Sequence, residues 1–286
     1  MGHSKVLDDI EIQIILDLYD IKMGSYKLLS GGSANTNYII NTENKSFVLT
    51  ICDEKSNEET LKLASLLEYL KYNKFSTSQL IKTINGELIS TWNNKPVMLK
   101  GFIKGDIVKD LSDNLLIYLG KELAKLHQIT APDFLPKKIA FGLEHFDEVK
   151  VYAPDSPFYK WLKTTQNYIE NHIDTDLPKA LIHSDIFDTN IIVDKEGKLA
   201  TIMDFEEACY YYRVFDIGMM IIGTCRDKET INLSKVASLL DGYQQEIKLL
   251  ETEKKALKAF TIYAASATAF WRHQNFNYVN VIPEMK

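Results

Sequence analysis

The stretch 181-LIHSDIFDTNIIVDKEGKLATIMDFEEA-208 decides the fold, because it joins two short apolar runs and places polar residues at their ends. The runs are Ile191–Val193 and Leu199–Met203, and the connection between them contains a glycine, which is typical of a tight hairpin turn. In a hairpin, the residue that opens one strand lies beside the residue that closes the other. The sequence therefore predicts that Asn190 and Asp204 share one edge of a small sheet.

Asp185, Asn190 and Asp204 are residue types that phosphoryl transfer requires. The Mg²⁺ that accompanies a nucleoside triphosphate is held by one or two protein oxygens together with the phosphates, and Asn190 and Asp204 carry suitable oxygens. An attacking hydroxyl needs a carboxylate that orients it and accepts its proton, so Asp185 is the predicted catalytic base. We predict that His183 braces this loop by hydrogen bonding, with direct catalysis as the alternative.

Turn formation is another explanation of these polar residues, because Asp and Asn are common in turns. The observed pattern is more specific than turns require. It has the form H-x-D-x-x-x-x-N, and an Asp that closes an apolar strand follows the Asn by fourteen residues. Protein kinases have the same order of catalytic loop and metal-binding Asp. The pattern therefore favours a phosphotransferase.

The chain resembles the aminoglycoside phosphotransferase and choline kinase superfamily, and within it most resembles the bacterial homoserine kinases of the kinase-like type. The resemblance extends over nearly the whole chain. Besides the segment above, it rests on Gly32–Ile40 (GSANTNYII), Phe47–Glu54 (FVLTICDE), Leu119–His127 (LGKELAKLH) and Phe215–Gly218 (FDIG). By the same resemblance, Asp216 supports the catalytic loop from beneath and is assigned a structural role.

The resemblance implies an α+β, bilobal protein-kinase-like fold, with a small N-terminal antiparallel sheet lobe and a larger, mostly helical C-terminal lobe. Residues 1–103 would form the nucleotide-binding lobe, and residues 104–286 the catalytic and substrate-binding lobe. The residue pattern agrees with this division. It predicts strands at Tyr26–Leu29, Asn37–Asn41, Ser46–Cys52, Gln79–Ile84 and Pro96–Ile103, and late helices at Phe215–Ile222, Ile231–Leu250 and Glu253–Trp271.

Two segments of the first lobe are candidates for nucleotide binding. The small and polar run 30-SGGSANTN-37 could bring backbone amides close to phosphates, although a plain turn would look the same. The run 97-VMLKGFIKGD-106 corresponds by the resemblance to the hinge that faces adenine, with an ordinary strand-to-helix loop as the alternative. The candidate nucleotide-binding residues are Gly31, Gly32, Ser33 and Asn35 in the first segment and Met98, Lys100 and Phe102 in the second.

The sequence departs from the kinase pattern at Thr50, where a strand lysine that contacts the phosphates is expected. The homoserine kinase branch also tends to have threonine there. The residue that neutralises the phosphates is therefore not identified by the sequence. The departure leaves open a pseudokinase that binds nucleotide without catalysis, but the intact Asp185, Asn190 and Asp204 argue for an enzyme.

A small-molecule hydroxyl is the predicted phosphoryl acceptor, and L-homoserine is the first choice. Glu206 and Glu207, which follow the metal Asp, are candidates for binding a substrate ammonium group, but they could also be exposed loop charges. Arg272 is the candidate for the substrate carboxylate, with a structural arginine as the alternative. Aminoglycosides and choline or other amino alcohols stay open, and Tyr210–Tyr212 would suit choline.

Bulk composition fits a soluble enzyme, which we expect in the cytoplasm, and the resemblance implies ATP and Mg²⁺ as its cofactors. The chain has 286 residues, a net charge of −6 and 45% hydrophobic residues, and it has no long basic run. We therefore expect neither nucleic acid nor membrane as a partner, and the sequence does not indicate the oligomeric state. Cys52, Cys209 and Cys225 are predicted to be free buried thiols, because their number is odd and no C-x-x-C pair is present.

Overall fold

A computed structural model describes residues 6–29, 35–173 and 176–279 of the chain. The chain divides into two compact units, Met1–Lys104 and Gly105–Lys286. Each unit is built around its own apolar core, so each is considered separately.

The first unit is an antiparallel sheet with two helices. Its elements are α1 (Asp9–Asp17), β1 (Ser25–Leu28), β2 (Asn35–Asn41), β3 (Ser46–Cys52), α2 (Asn57–Tyr72), β4 (Leu80–Ile81), β5 (Ser90–Trp92) and β6 (Lys95–Gly101). The strand order is β1-β2-β3-β6-β4, and β5 also pairs with β6. Every pairing in this sheet is antiparallel, as the sequence predicts for the N-terminal lobe.

Successive side chains along each strand point to opposite faces of this sheet, and both faces are buried. On one face, Ile12 and Leu16 of α1 belong to the same apolar cluster as Leu49 and Leu99 of the sheet. On the other face, residues of α2 join a second cluster that includes Met98. A capping box at Ser56 and Glu59 starts α2, and the Glu59 carboxylate accepts hydrogen bonds from the Ser56 backbone N–H and hydroxyl.

The second unit is mostly helical and contains three two-stranded sheets in its described part. Its helices are α3 (Asp113–Gln128), α4 (Val149–Tyr152), α5 (Pro157–Glu170), α6 (Arg213–Thr224), α7 (Leu233–Glu246) and α8 (Glu251–Gln274). Its strands are β7 (Lys179–Ile182), β8 (Ile191–Val193), β9 (Ala200–Ile202), β10 (Cys209–Tyr212), β11 (Arg226–Asp227) and β12 (Thr230–Ile231). Short 3₁₀ turns span Leu143–Glu148 and Asp188–Asn190, and a π-helical turn spans Asn275–Val279.

Helices α3 and α7 approach each other closely because a glycine lies on each contact face. A Cβ added at Gly120 of α3 would overlap the carbonyl oxygen of Leu239, and one added at Gly242 of α7 would overlap that of Ile117. The two backbones therefore meet without intervening side chains at these positions. This contact brings the C-terminal part of α3 beside Tyr243 of α7.

Most of the predicted elements are confirmed, and two predictions were wrong in extent. The hairpin β8–β9 forms as expected, with Gly197 at φ 67° in its turn. The predicted strand Gln79–Ile84 is observed as only two residues, Leu80–Ile81, because the pairing with β6 ends at Ile81. The predicted helix Ile231–Leu250 is shorter at both ends: it starts at Leu233, since Ile231 pairs with Arg226 in a small hairpin, and it ends at Glu246.

The prediction for the cysteines falls within the described residues. Cys52, Cys209 and Cys225 are free and buried, as the sequence indicates. Among the helices of the described ranges, none has both the length and the apolar character needed to cross a bilayer.

Candidate active site

The loop 183–190 leaves the strand β7, which pairs antiparallel with β10. Ser184 takes a positive φ of 65°, a conformation that is uncommon for non-glycine residues. Its hydroxyl donates to the backbone oxygen of Glu207 at 2.6 Å. The loop is thereby fixed to the segment that precedes β10.

A single buried carboxylate, Asp216 on α6, fixes the start of this loop. Its Oδ2 accepts the backbone N–H of His183 at 2.8 Å, and its Oδ1 accepts the backbone N–H of Ser184 at 2.8 Å. His127 Nε2 lies 3.1 Å from the same Oδ2. A buried carboxylate requires such donors because it has left its hydration shell. Asp216 therefore lies where the sequence predicts structural support for the loop.

His127 extends this network to a second helix. Its Nδ1 lies 2.9 Å from the hydroxyl of Tyr243 on α7, and both side chains are buried. Burial raises the pKa of Tyr243, so its hydroxyl keeps its proton and can donate it to Nδ1. His127 Nε2–H then donates to Asp216, which gives a chain of hydrogen bonds from α7 through α3 and α6 to the loop.

His183 is held by main-chain groups on both ring nitrogens. Its Nδ1 accepts the backbone N–H of Asp185 at 3.2 Å, and its Nε2 donates to the Met203 carbonyl at 2.9 Å. The ring also packs on Phe205, with 4.5 Å between the ring centroids. His183 thus links the loop to the end of the β8–β9 hairpin, an arrangement that fits the predicted bracing role.

Asp185 and Asn190 contact each other across the loop. The Asn190 Nδ2 donates to the backbone oxygen of Asp185 at 2.9 Å and to its Oδ2 at 3.3 Å. Burial raises the pKa of the Asp185 carboxyl, and the nearby charges of Asp204 and Asp216 raise it further, whereas the hydrogen bond from Asn190 lowers it. The net rise makes Asp185 a stronger base than an ordinary aspartate.

The residues Asn190 and Asp204 fit a divalent cation that is shared with phosphates. Because Nδ2 of Asn190 donates to Asp185, its Oδ1 is left to serve as an oxygen ligand. Asp204 is exposed at φ 69°, and the pairing of Met203 N with Asn190 O at 2.9 Å keeps the two residues adjacent. Among the described residues, no group of three or more His, Cys, Asp or Glu forms a metal site by itself. Mg²⁺ commonly takes one or two protein oxygens together with substrate phosphates.

A small cavity of about 110 Å³ opens beside this loop. The described residues that line it are Phe141, Asp185, Glu207, Thr268 and Trp271. Glu207 is therefore brought together with the candidate base. Glu206 and Arg272 also belong to the described part of the chain, but they are not among the lining residues. Arg272 is exposed, and its guanidinium lies 5.2 Å from the centre of the Phe276 ring.

A protein-family model covers most of the chain. The model of the phosphotransferase enzyme family, APH, matches residues 25–249 of the chain. The chain belongs to this family. It is thus an enzyme that transfers a phosphoryl group to a hydroxyl of a small molecule, as the sequence predicts.

This phosphotransferase is similar in sequence to curated kinases and similar in fold to solved kinase structures. The homoserine kinase of Zymomonas mobilis is 25% identical over 97% of this chain and 89% of its own length. Spectinomycin phosphotransferase APH(9)-Ia, solved with ADP and spectinomycin, superposes with a TM-score of 0.77 at 18% identity, covering 97% of this chain and 91% of that one. Amicoumacin kinase hAmiN, solved in complex with AMP-PNP, Ca²⁺ and Ami, superposes with a TM-score of 0.77 at 16% identity, covering 98% of this chain and 90% of that one. The predicted α+β kinase-like fold is confirmed.

The candidate nucleotide-binding residues of the phosphotransferase lie in its first unit. Gly31, Gly32 and Ser33 lie outside the described residues, and Asn35 opens β2. In β6, Met98 is fully buried in the cluster with α2, Lys100 is half-buried and Phe102, just after the strand, is 37% exposed. The three residues therefore differ in how much of each side chain a ligand could contact.

Thr50 replaces the expected strand lysine with a buried hydroxyl. It is 1% exposed, and its Oγ1 donates to the Asn37 Oδ1 at 2.7 Å on the neighbouring strand. The hydrogen bond satisfies a polar group that would otherwise be costly to bury. The position thus contributes a neutral pair instead of a cation.

The sequence did not predict three of the residues that line the cavity, nor the hydrogen bond between Tyr243 and His127. Phe141, Thr268 and Trp271 come from segments far apart in the chain from Asp185, so no local motif links them. The only available signal was in the run AASATAFWRH, where Thr268 and Trp271 are three residues apart and share one face of a helix. Tyr243 had no signal, because its contact with His127 depends on how α3 packs on α7.

Proposed function

We propose that this phosphotransferase uses ATP to phosphorylate the side-chain hydroxyl of L-homoserine. The observation that carries the proposal is the small cavity in which a candidate base, Asp185, and a second carboxylate, Glu207, face the same space. A base serves the hydroxyl, and a carboxylate serves an ammonium group, so the pair suits an amino alcohol. The homoserine kinase of Zymomonas mobilis, similar over nearly the whole chain, supports the choice of acceptor.

In this proposal Asp185 performs the acid–base chemistry. Its carboxylate accepts a hydrogen bond from the acceptor hydroxyl, orients the oxygen toward the γ-phosphoryl group and takes the proton as the new bond forms. The hydrogen bond from Asn190 and the anchored loop hold the carboxylate in one orientation.

Asn190 and Asp204 are the residues that would hold Mg²⁺. The ion, when bound with ATP, neutralises charge on the phosphates. A kinase of the same fold was solved with AMP-PNP and Ca²⁺, which supports the use of a nucleotide and a divalent ion. Asn190 contributes to positioning as well, since its amide contacts Asp185 through Nδ2.

The remaining assignments follow the same proposal. Residues 1–103 would bind the nucleotide, and residues 104–286 would supply the acceptor site and the catalytic loop. Within the first lobe, the binding residues would be Gly31, Gly32, Ser33, Asn35, Met98, Lys100 and Phe102. An enzyme that uses ATP and a free amino acid would work in the cytoplasm.

Cavity size and composition favour a small acceptor over the alternatives. Pockets for drug-sized ligands commonly enclose about 300–1,000 Å³, whereas this cavity encloses about 110 Å³. A multi-ring aminoglycoside is therefore disfavoured. A choline cage built from Tyr210–Tyr212 is disfavoured as well, because Tyr211 and Tyr212 pack on Phe215 and Phe260 in the core. None of these tyrosines is among the described residues that line the cavity.

The test is ADP release with Mg·ATP against a panel of L-homoserine, ethanolamine, choline, methylthioribose and several aminoglycosides. We expect L-homoserine to have the highest kcat/KM, and turnover to be abolished in Asp185→Asn. Detection of O-phosphohomoserine by mass spectrometry would separate transfer from hydrolysis. A higher kcat/KM with another panel member would refute the homoserine assignment. Nucleotide binding without turnover of any acceptor would favour the pseudokinase.

A further inference from the structure

Helix α1 carries apolar side chains on two sides, and one of these sides is exposed. The side that packs on the sheet of the first unit carries Ile12, Ile15 and Leu16. The exposed side carries Ile10, Ile14 and Leu18, which are 72%, 50% and 42% exposed. These last three residues form the α1 stripe. Side chains four residues apart are neighbours on a helix surface, so the stripe is one continuous patch.

The surroundings of the α1 stripe are acidic. Residues 6–21 contain five acidic residues and no lysine or arginine. The exposed Ile84 extends the patch beside Leu18, because its backbone N–H donates to the Leu18 carbonyl at 2.9 Å. Single exposed apolar side chains are ordinary, but a contiguous patch of them marks an interaction surface. A helix that is apolar on two sides is typically buried on both. The partner that fits α1 is therefore apolar and has basic residues.

The second unit has a groove with these properties between α5 and α8. It encloses about 380 Å³, and the described residues that line it are Trp161, Thr164, Thr165, Tyr168, Lys258 and Ile262. Tyr168 and Ile262 form its apolar floor, because they also pack on the core of the second unit. Trp161 and Lys258 are exposed, and no acidic residue is among the described residues of the lining. This space is the α5–α8 groove.

We propose that the α1 stripe of one copy of this chain docks in the α5–α8 groove of a second copy. The stripe would lie along the groove as an amphipathic helix lies in an apolar groove, against Trp161, Tyr168 and Ile262. The acidic residues that surround the stripe complement the charge of Lys258.

Charge decides between this contact and a contact of two like surfaces. Two α1 helices would bring their acidic residues together, and two grooves would oppose their Lys258 side chains, so both like pairings are disfavoured. The contact therefore joins two different surfaces and is heterologous. It involves none of the residues that are assigned to the phosphoryl transfer, so the inference is independent of the acceptor.

The first test is sedimentation equilibrium of the full chain from nanomolar to high micromolar concentration. We expect reversible association of the wild-type chain. Ile14→Glu changes the stripe and Trp161→Glu changes the groove, and each should raise the Kd of association about tenfold or more, because each places a charge in an apolar contact. Both side chains are exposed, so circular dichroism and Tm of the variants should match the wild type. A wild-type chain that is monomeric throughout would overturn the inference.

Mixing the two variants tests whether the contact is heterologous. The Trp161→Glu copy keeps its α1 stripe, and the Ile14→Glu copy keeps its groove. We expect the mixture to form a one-to-one complex at concentrations where each variant alone is monomeric. If each variant alone has lost association and the mixture stays monomeric as well, the two surfaces do not bind each other and the inference is wrong.

Matched controls separate the two surfaces from a general effect of charge. Leu233→Glu replaces an exposed apolar residue at the start of α7, outside both surfaces, and should keep the wild-type Kd. Lys258→Glu should raise Kd several-fold, whereas Lys248→Glu, an equal change of charge at an exposed position outside the lining, should not. Equal losses of association in Leu233→Glu and Ile14→Glu would overturn the assignment to α1.

Discussion

Asp185 combines burial with a fixed orientation, which makes it the most informative single residue to change. Its carboxylate accepts a hydrogen bond from the Asn190 amide at 3.3 Å, and its side chain lines the small cavity that we propose as the site of the phosphoryl acceptor. We expect Asp185→Asn to lower kcat by about 10²–10⁴-fold, the usual contribution of a positioned general base. The variant keeps the shape of the side chain, so Kd for Mg·ATP, measured by calorimetry, should change little. A kcat near the wild-type value would exclude Asp185 as the base.

Tyr243 tests whether the hydrogen-bond chain to the loop affects catalysis. Tyr243→Phe removes the hydroxyl 2.9 Å from His127 and leaves a buried ring nitrogen without that partner. We expect a loss of about 1–3 kcal/mol in stability and a several-fold fall in kcat with KM for ATP unchanged, because Asp216 and the loop would be less well held.

Tyr38→Phe is the matched control for this experiment. Its hydroxyl is also buried and accepts the Leu7 N–H at 2.9 Å, but it belongs to the first unit, whereas the loop belongs to the second. The control should lose stability and keep kcat. A Tyr243→Phe protein that lost stability and kept full kcat would show that the chain is only structural.

At the scale of elements, the contact between α3 and α7 depends on glycine. Gly242→Ala would place a methyl group against the Ile117 carbonyl, so the two helices would have to separate. We expect a destabilisation of about 1–3 kcal/mol, as for other overpacked contacts, measured by chemical unfolding. Ser238→Ala, on the same helix with a local hydrogen bond to Ser234, should change stability much less. Equal effects of the two substitutions would mean that the helices have room to adjust.

Local patterns predicted the elements well where the determining residues are close in sequence. The β8–β9 hairpin follows from two apolar runs and Gly197, and the start of α2 follows from Ser56 and Glu59. The hairpin β11–β12 escaped prediction because its paired residues, between Arg226 and Ile231, are exposed and too few to show a period. The pairing of β7 with β10 was also not predicted, since about thirty residues separate the strands.

The candidate site likewise contains residues that local sequence predicts and residues that it does not. Asp185, Asn190 and Asp204 were predicted from their spacing, because they lie within the catalytic loop and at the ends of the short hairpin that follows it. The cavity walls depend on where α8 lies against the loop, which spacing does not encode. The run around residue 271 therefore drew attention to the charged Arg272, whereas the lining residue is its neighbour Trp271.

At the scale of the whole molecule, the two units are proposed to divide the ligands between them. The second unit contains the loop, the Asp216 network and all five residues of the cavity. Helix α1 packs on one face of the sheet in the first unit and α2 packs on the other, so we expect the ligand contacts of this unit at half-buried and loop positions such as Asn35, Lys100 and Phe102. Changes at the acceptor cavity should therefore alter KM for the acceptor and leave KM for ATP near the wild-type value.

Thermal unfolding tests the proposed metal pair on the intact chain. A ligand that binds only the folded state at 100 times its Kd adds about 2.7 kcal/mol of stability, which corresponds to a rise of several degrees in Tm for a chain of this size. We expect Mg·ATP to raise Tm in this way, and ATP with EDTA to raise it much less. Asp204→Asn should lose most of the Mg²⁺-dependent rise, because its exposed carboxylate would no longer neutralise the ion. Glu196→Gln, an equal change of charge in the nearby turn, should keep the full rise. If Asp204→Asn responded to Mg·ATP as the wild type does, the ion would have to be held elsewhere.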